Sequence, residues 1–229
     1  MHLPGRSEVK NTTFPIIPYK VSLLAHRCNI SQEVYKVLVK SKNEKQTSPA
    51  ESKWIRDIGT RGDLSICNVR AATKSTYLQA FHYRLANRIV ATNTFLHRIG
   101  VSESSSCSFC KSEEETLIHL VWDCTVTQDY IKTIVTQLRS SFSVSCSFTA
   151  KSWIFPCSSK DGFLITLIST VGKLVIFKAK NNEELPNYHH FVALLRREAR
   201  NEEFIAIKNN TKDSFLQKWE NMSKIVRNE

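Results

Sequence analysis

The chain has 229 residues, of which 41% are hydrophobic and 23% charged, with 32 Lys and Arg against 21 Asp and Glu. This length supports one large hydrophobic core or two smaller ones, and the composition excludes a short disulfide scaffold, a collagen-like fibre, a fully disordered chain and a membrane bundle. The formal net charge of +11 favours a polyanionic partner. Nucleic acid is the leading class of partner, and a membrane surface is the weaker one.

The sequence indicates a reducing, intracellular environment. The first ten residues, MHLPGRSEVK, lack the apolar stretch of a secretory signal, so we expect a location in the nucleus or the cytoplasm. In a reducing compartment, cysteines are more often free thiols or metal ligands than disulfides, and this is expected for the seven cysteines of the chain. The longest apolar run, at 162–177, is shorter than the roughly 20 residues of a membrane-spanning helix and contains Lys173. We predict a buried core helix for this run and expect no membrane partner.

Positive charge is concentrated in the first half of the chain. Residues 1–104 contain 16 basic and 7 acidic side chains, residues 105–162 contain 5 and 6, and residues 163–229 contain 11 and 8. Residues 30–40 are predicted to form a short helix, and the polar stretch 41–52 is predicted to be a linker because it has little apolar material to pack.

The remaining elements are predicted to be helical. From Lys74 to Val90, apolar residues recur every three or four positions, as on one face of an α-helix. A short helix at 92–100 is predicted to start at Thr92 and to end at Gly100. Further helices are predicted at 126–138, 163–178, 188–207 and 214–226, with Pro186 separating two of them. Only 143–150 has an ambiguous strand-like pattern.

The strongest motif is CSFCKSEEETLIHLVWDC, in which Cys107, Cys110, His119 and Cys124 form a C-x2-C-x8-H-x4-C array. Zinc binds four such ligands on a tetrahedron, and a two-residue gap allows one turn to present two thiolates. Ser112 and Glu115 are predicted to form a capping box at the start of the helix that carries the last two ligands. The alternative is a coincidence of ordinary thiols.

Four protein ligands leave no open position for water or substrate, so the zinc is expected to be structural. The other cysteines show no ligand spacing and are predicted to be buried free thiols. They are Cys28, Cys67, Cys146 and Cys157.

The sequence therefore predicts a mainly α fold with a small CCHC zinc knuckle embedded between helices and followed by a helical C-terminal region. The predicted domains are a basic segment and linker at 1–50, a zinc-binding domain at 51–140 and a helical region at 141–229.

Basic side chains near the array are candidates for nucleic-acid contacts. On a helix at 74–90, Tyr77, Arg84 and Arg88 would lie within roughly 40° of one another beside the apolar face. Such a flank can pair with phosphates and stack an unpaired base, although the two arginines could equally extend past the core edge to water.

Further candidates lie closer to the array. His97, Arg98 and Lys111 would extend the basic track, or each could be an ordinary solvated side chain. Trp122 either covers the zinc with an apolar ring or offers a surface for base stacking.

The array and its surroundings resemble the zinc-binding segment at the C-terminal end of reverse transcriptases from LINE-type (non-LTR) retrotransposons. Five segments carry the resemblance: Phe81-His82-Tyr83-Arg84, Asn93, residues 96–100 (LHRIG), Glu114-Glu115-Thr116, and His119-Leu120-x-Trp122-x-Cys124. Weaker similarity extends over most of the chain, and the specific part is 77–124.

The resemblance implies a non-catalytic tail that holds single-stranded template RNA or target DNA and that contacts the polymerase portion of the same element. No Tyr-x-Asp-Asp or other paired-aspartate motif is present, and no motif orders a nucleophile and a base, so the chain is not expected to be an enzyme. Two alternatives remain at this stage. One is a zinc-locked helical module that docks on the polymerase body, and the other is a truncated relic with no independent activity.

Overall fold

A computed structural model describes residues 48–59, 67–142, 146–155 and 162–220. Helices make up 71% of these residues, which contain no strand and only an isolated antiparallel bridge between Ser106 and Glu114. The predicted mainly α fold is confirmed. The helix predicted at 30–40 lies outside the described residues.

The helices follow one another along the chain with short connections. They are α1 (Pro49–Ile58), α2 (Cys67–Ala72), α3 (Thr76–Ala86), α4 (Asn93–Arg98), α5 (Thr125–Phe142), α6 (Ala150–Ile154), α7 (Gly162–Asn181), α8 (Tyr188–Lys208) and α9 (Lys212–Trp219). A π-helical turn, His119–Asp123, precedes α5.

Helix α7 lies at the centre of the core. Helices α2, α3, α6 and α8 and the π-helical turn all pack against it. By length and composition it could cross a membrane, yet 72% of its most apolar window is buried by the rest of the protein, as in a core helix. The rings of Phe81 in α3 and Phe177 in α7 lie 5.8 Å apart. The segments 51–140 and 141–229 therefore share one core.

A buried lysine joins α7 to α6. Lys173 is fully buried, and its Nζ donates to the carbonyl oxygens of Trp153 and Ile154, the latter at 2.9 Å. These carbonyls belong to the end of α6, where a helix leaves its last carbonyls without backbone partners. The Trp153 indole donates to the Val121 carbonyl at 2.9 Å and packs so closely on Gly172 that a Cβ there would lie 2.5 Å from the ring. Helix α6, helix α7 and the π-helical turn are thus held together.

Helix α1 begins inside the stretch predicted to be a linker. Ser48 caps it by accepting a hydrogen bond from the Glu51 backbone N–H at 3.1 Å, which is the usual role of serine before a helix. Trp54 is completely buried and donates its indole N–H to the Ala86 carbonyl at 2.8 Å. Trp54 and the partly buried Ile58 thus pack α1 against the core.

Helix α3 is shorter than the predicted 74–90. Leu78, Phe81 and Leu85 are buried as the periodicity predicted, but Tyr77 and Ile89 are 48% and 62% exposed. The helix ends because Arg88 adopts the left-handed conformation, with φ of 58°.

The other boundaries follow the sequence closely. Thr92 caps α4, and Gly100 follows it with φ of 74°, as predicted. Helices α5, α7 and α8 extend one to four residues beyond the predicted ends, and Pro186 lies between α7 and α8. Residues 146–149 have no regular structure, so the strand alternative is wrong there, and residues 143–145 lie outside the described part. Helix α9 covers the described part of the helix predicted at 214–226.

Candidate metal centre

The four predicted ligands meet in one cluster. The ligand atoms of Cys107, Cys110, His119 and Cys124 all lie within 4.8 Å of one another. The Sγ atoms of Cys107 and Cys124 are 3.8 Å apart, and Nε2 of His119 is 3.4 Å from Sγ of Cys110. Three of the four side chains are buried, and Cys110 is half-buried.

These separations match those expected around zinc. With Zn–S of about 2.3 Å and Zn–N of about 2.0 Å, a tetrahedron places two sulfurs about 3.8 Å apart and a sulfur and a nitrogen about 3.5 Å apart. The observed 3.8 and 3.4 Å agree with both values. Three thiolates and one imidazole form a complete donor set for zinc, so the residues present fit a closed structural site.

A tight turn presents the first two ligands. Lys111 N–H donates to the Cys107 carbonyl at 3.1 Å, and Phe109 N–H points at Cys107 Sγ at 3.4 Å. The Cys107 N–H donates to the Glu113 carbonyl at 2.7 Å, which closes the loop behind the turn. Lys111 takes the left-handed conformation, with φ of 59°, that this reversal requires.

The π-helical turn presents the other two ligands. The Cys124 N–H donates to the His119 carbonyl at 2.9 Å, a bond that spans five residues instead of four. In a regular α-helix, residues five apart would point about 140° away from each other, so both could not face one metal. The sequence pattern predicts an ordinary α-helix at this position, whereas the structure has a π-helical turn.

The predicted capping box of Ser112 and Glu115 is wrong. Ser112 lies in a bend, and the helical turn starts only at residue 117. The Thr116 hydroxyl instead accepts a hydrogen bond from the His119 backbone N–H at 3.2 Å. The Cys107 to Glu113 bond keeps the intervening residues in the loop, which leaves no room for a helix start at Ser112.

Glu115 has a different role, which no sequence pattern predicts. It is completely buried, and its carboxylate accepts hydrogen bonds from the backbone N–H groups of Asn93 at 2.8 Å and Ser108 at 2.7 Å. Lys180 of α7 lies 3.5 Å from the same carboxylate. Glu115 thus connects the ligand-bearing turn to α4 and to the central helix.

A carboxylate also contacts the ring nitrogen of the histidine ligand that does not face the cluster. Nδ1 of His119 lies 3.1 Å from the carboxylate of Glu113, which leaves Nε2 directed at the cluster. A carboxylate partner on the second ring nitrogen orients a metal-binding histidine and increases its basicity.

The thiols differ in acidity before metal binds. Burial raises the pKa of Cys107 to about 12, with the Cys124 thiol adding to the effect. A hydrogen bond from the Ser112 side chain lowers the pKa of Cys110 to about 6. The environment therefore favours the thiolate form at Cys110 and the protonated form at Cys107, from which a bound metal has to displace the proton.

Residues 30–130 match the family model for zinc-binding in reverse transcriptase. The match includes all four ligands, α1 to α4 and the π-helical turn, and it supports a reverse transcriptase zinc-binding domain over these residues. Such a domain is an accessory zinc-binding unit, distinct from the catalytic polymerase domain. A comparison with curated proteins finds no match.

Arg88 does not continue the predicted helical flank. Its guanidinium lies 4.2 Å from the centre of the Trp54 ring and bonds to Asp57 at 2.6 Å. The prediction that it lines up with Tyr77 and Arg84 is wrong, because the chain has already left the helix at this point.

The other five candidates for nucleic-acid contacts are exposed. Tyr77 lies 5.8 Å from the Nζ of Lys178. The ring of His97 bonds to the Ser102 carbonyl at 3.0 Å, and the guanidinium of Arg98 lies over a phenylalanine ring. The five exposed candidates are Tyr77, Arg84, His97, Arg98 and Lys111.

An open cleft of about 500 Å³ lies between α1 and α4 and brings some of these candidates together. Arg88 and Arg98 line it, whereas Tyr77, Arg84, His97 and Lys111 do not. Helix α1 contributes two basic residues, Lys53 and Arg56, that are absent from the predicted set, because the prediction places the Ser48–Pro49 helix start in a linker.

Two remaining predictions concern side chains near the centre. Trp122 is half-buried and packs against the core, which favours an apolar covering role over an open stacking surface. Cys146 is a buried free thiol, as predicted. The side chains of Cys28, Cys67 and Cys157 lie outside the described residues.

Proposed function

We propose that this chain is a non-catalytic, zinc-stabilised nucleic-acid-binding region of a LINE-type retrotransposon reverse transcriptase, where it holds template RNA or target DNA. The observation that carries the proposal is the closed set of three cysteines and one histidine inside a segment that matches the reverse transcriptase zinc-binding family. Zinc has a structural role, because the four protein ligands complete its coordination.

Charge supports the nucleic-acid part of this proposal. The chain carries a formal charge of +11, and Arg84, Arg98 and Lys111 expose cations on and around the metal-binding segment. Basic side chains displace counterions from phosphates, which supplies most of the affinity of sequence-independent binding. The protein would act where the element's RNA and target DNA meet, in the nucleus or cytoplasm, beside the polymerase portion of the same element.

The test is a salt titration with the zinc-loaded chain. Fluorescence anisotropy with labelled single-stranded RNA, single-stranded DNA and duplex DNA gives the association constant at several salt concentrations. For single strands, the logarithm of this constant is expected to fall with the logarithm of salt by roughly 0.7 per phosphate contacted. No binding, or binding that does not respond to salt, would contradict the proposal.

A matched pair of variants separates a defined surface from general attraction. Arg84→Gln with Lys111→Gln removes two exposed cations within the segment that matches the zinc-binding family, and Arg139→Gln with Lys212→Gln removes two exposed cations outside it. Both have the same net charge. The first pair is expected to reduce the salt slope by about 1.4, from two lost phosphate contacts, and the second pair to leave it close to wild type.

A protein-docking role is the second candidate. Helices α8 and α9 expose large apolar side chains, whereas the described residues of 126–178 contain no exposed large hydrophobic side chain. The exposed residues are Phe204, Ile205, Ile207 and Leu216. If these contact the polymerase portion, Phe204→Ser with Ile207→Ser should weaken that association and leave nucleic-acid affinity unchanged. A chain that binds neither partner would be the relic without independent activity.

A further inference from the structure

The cleft between α1 and α4 is lined almost entirely by basic, apolar and hydroxyl side chains. Helix α1 contributes Lys53 and Arg56, the segment after α3 contributes Arg88 and Ile89, and α4 contributes Arg98 with its neighbours. Among the described residues, the lining contains no carboxylate.

The charges in this cleft are only partly compensated. Asp57 lies behind it and pairs with Arg88 at 2.6 Å and with Arg56 at 3.4 Å. Within the described residues, neither Lys53 nor Arg98 pairs with a carboxylate. The cleft therefore retains excess positive charge in a concave surface, where the field on an approaching anion is strongest.

The same cleft offers an aromatic face and polar groups without partners. Phe95 is 43% exposed, and the guanidinium of Arg98 lies 5.3 Å from its ring centre. Arg88 and Thr94 line the cleft, and Nη1 of the first and Oγ1 of the second are buried with no hydrogen-bond partner in the described part of the chain. Buried polar groups without a partner are rare in folded proteins, and bound ligand or water commonly satisfies them.

We propose that this cleft binds one nucleotide of a single-stranded nucleic acid, with the phosphate between Lys53 and Arg98 and the base against Phe95. This inference rests on the proposed function and assigns it a site. Cations along the backbone and an aromatic ring under the base are the two components of single-strand recognition.

The size of the cleft favours a single strand over a duplex. A volume of about 500 Å³ is that of a site for one small molecule or one nucleotide. In a duplex, the base faces are covered by neighbouring pairs, so Phe95 could stack on a base only in an unpaired strand.

The experiment measures anisotropy of labelled oligo(dT), oligo(U) and a duplex of equal length on the zinc-loaded full chain. Phe95→Ala is expected to weaken single-strand binding by about 5- to 150-fold, the range for loss of one stacked base. Phe95→Tyr retains an aromatic ring and should retain affinity. The control is Tyr83→Ala, which removes an aromatic side chain that is 50% exposed and does not line the cleft.

The phosphate contacts are tested separately. Lys53→Gln with Arg98→Gln is expected to reduce the salt slope by about 1.4, while Arg139→Gln with Lys212→Gln should not. Bound zinc and circular dichroism, measured on every variant, identify any variant that fails to fold. If Phe95→Ala does not fold, Phe95→Tyr and the Lys53→Gln, Arg98→Gln pair are the variants compared with the wild type.

The outcomes separate the cleft from the wider proposal. If the wild-type chain binds none of the probes, the proposed function and the cleft both fail. If the wild type binds and the cleft variants bind as the control variants do, the cleft is wrong and the proposed function stands. If Phe95→Ala weakens duplex and single-strand binding equally, the base is not against Phe95. Equal loss with oligo(dT) and oligo(U) supports a cleft that contacts phosphate and base and ignores both the 2′-hydroxyl and the thymine methyl group, whereas loss with only one of them supports a cleft that distinguishes the two strands by one of these groups.

Discussion

Replacing Glu115 with glutamine tests whether the metal centre and the helical core form one cooperative structure. The carboxylate accepts hydrogen bonds from two backbone N–H groups, of Asn93 and Ser108, and lies 3.5 Å from Lys180. Glutamine has nearly the same shape but only one acceptor oxygen and no charge, so one N–H would face an amide NH₂ and Lys180 would lose its counter-ion.

The expected loss of stability is large. A hydrogen bond to a charged group contributes about 1.5–3 kcal/mol, and breaking a buried ion pair by removing one partner costs about 3–5 kcal/mol. The two effects overlap because the same carboxylate makes both contacts, so we expect Glu115→Gln to lower the free energy of unfolding by about 3–5 kcal/mol. Ser108 lies between the first two cysteine ligands, so the affinity for zinc should also fall, by about 10- to 100-fold.

Urea denaturation of the zinc-loaded chain gives the stability, and competition with a chelator gives the zinc affinity. Glu114→Gln is the matched control, because it makes the same chemical change at the preceding, exposed residue. If Glu115→Gln and Glu114→Gln have the same stability and the same zinc affinity, the carboxylate does not couple the metal centre to the core and the reasoning fails.

Three other changes test the core and the metal centre. Cys107→Ser should unfold the segment 107–124, because zinc-binding free energy is folding free energy in such a site; identical circular dichroism spectra with and without zinc would contradict this. Burial and the nearby charge of Lys173 lower the pKa of His82 to about 3. Below pH 6.5 the unfolded chain therefore takes up a proton that the folded chain does not, and stability falls by about 1.4 kcal/mol per pH unit. Between pH 6.5 and 4.5 this loss amounts to about 2 kcal/mol, and His82→Leu should remove it; if urea denaturation shows the same loss of stability over this pH range in the variant and the wild type, the reasoning is refuted. Gly172→Ala should destabilise the fold by about 1–3 kcal/mol, since the methyl group would overlap Trp153; an equal or higher thermal midpoint would count against this packing.

Most helices could be predicted from the sequence because capping residues, prolines and apolar periodicity determine helix boundaries through contacts within a few residues. Thr92 and Gly100 mark the ends of α4, and Pro186 separates α7 from α8. The spacing of the ligands predicted their meeting for the same reason, since the tight turn and the π-helical turn together span 18 residues.

Two of the misses involve partners that are distant in the chain. Arg88 ends α3 early because Trp54 and Asp57 hold its guanidinium, and they lie more than 30 residues away. Glu115 looked like a capping residue, but its partner Lys180 is 65 positions further on. No periodicity or spacing rule reports such contacts, which arise only once the helices have packed.

Lys180 also bears on which fragment of this chain could be produced on its own. A fragment ending at residue 130 would contain all four metal ligands, yet it would lack helix α7, against which α2, α3 and the π-helical turn pack. It would also leave the carboxylate of Glu115 without its cation and the Val121 carbonyl without the indole of Trp153. The segment that can be recognised by its ligand pattern is therefore smaller than the segment that can fold.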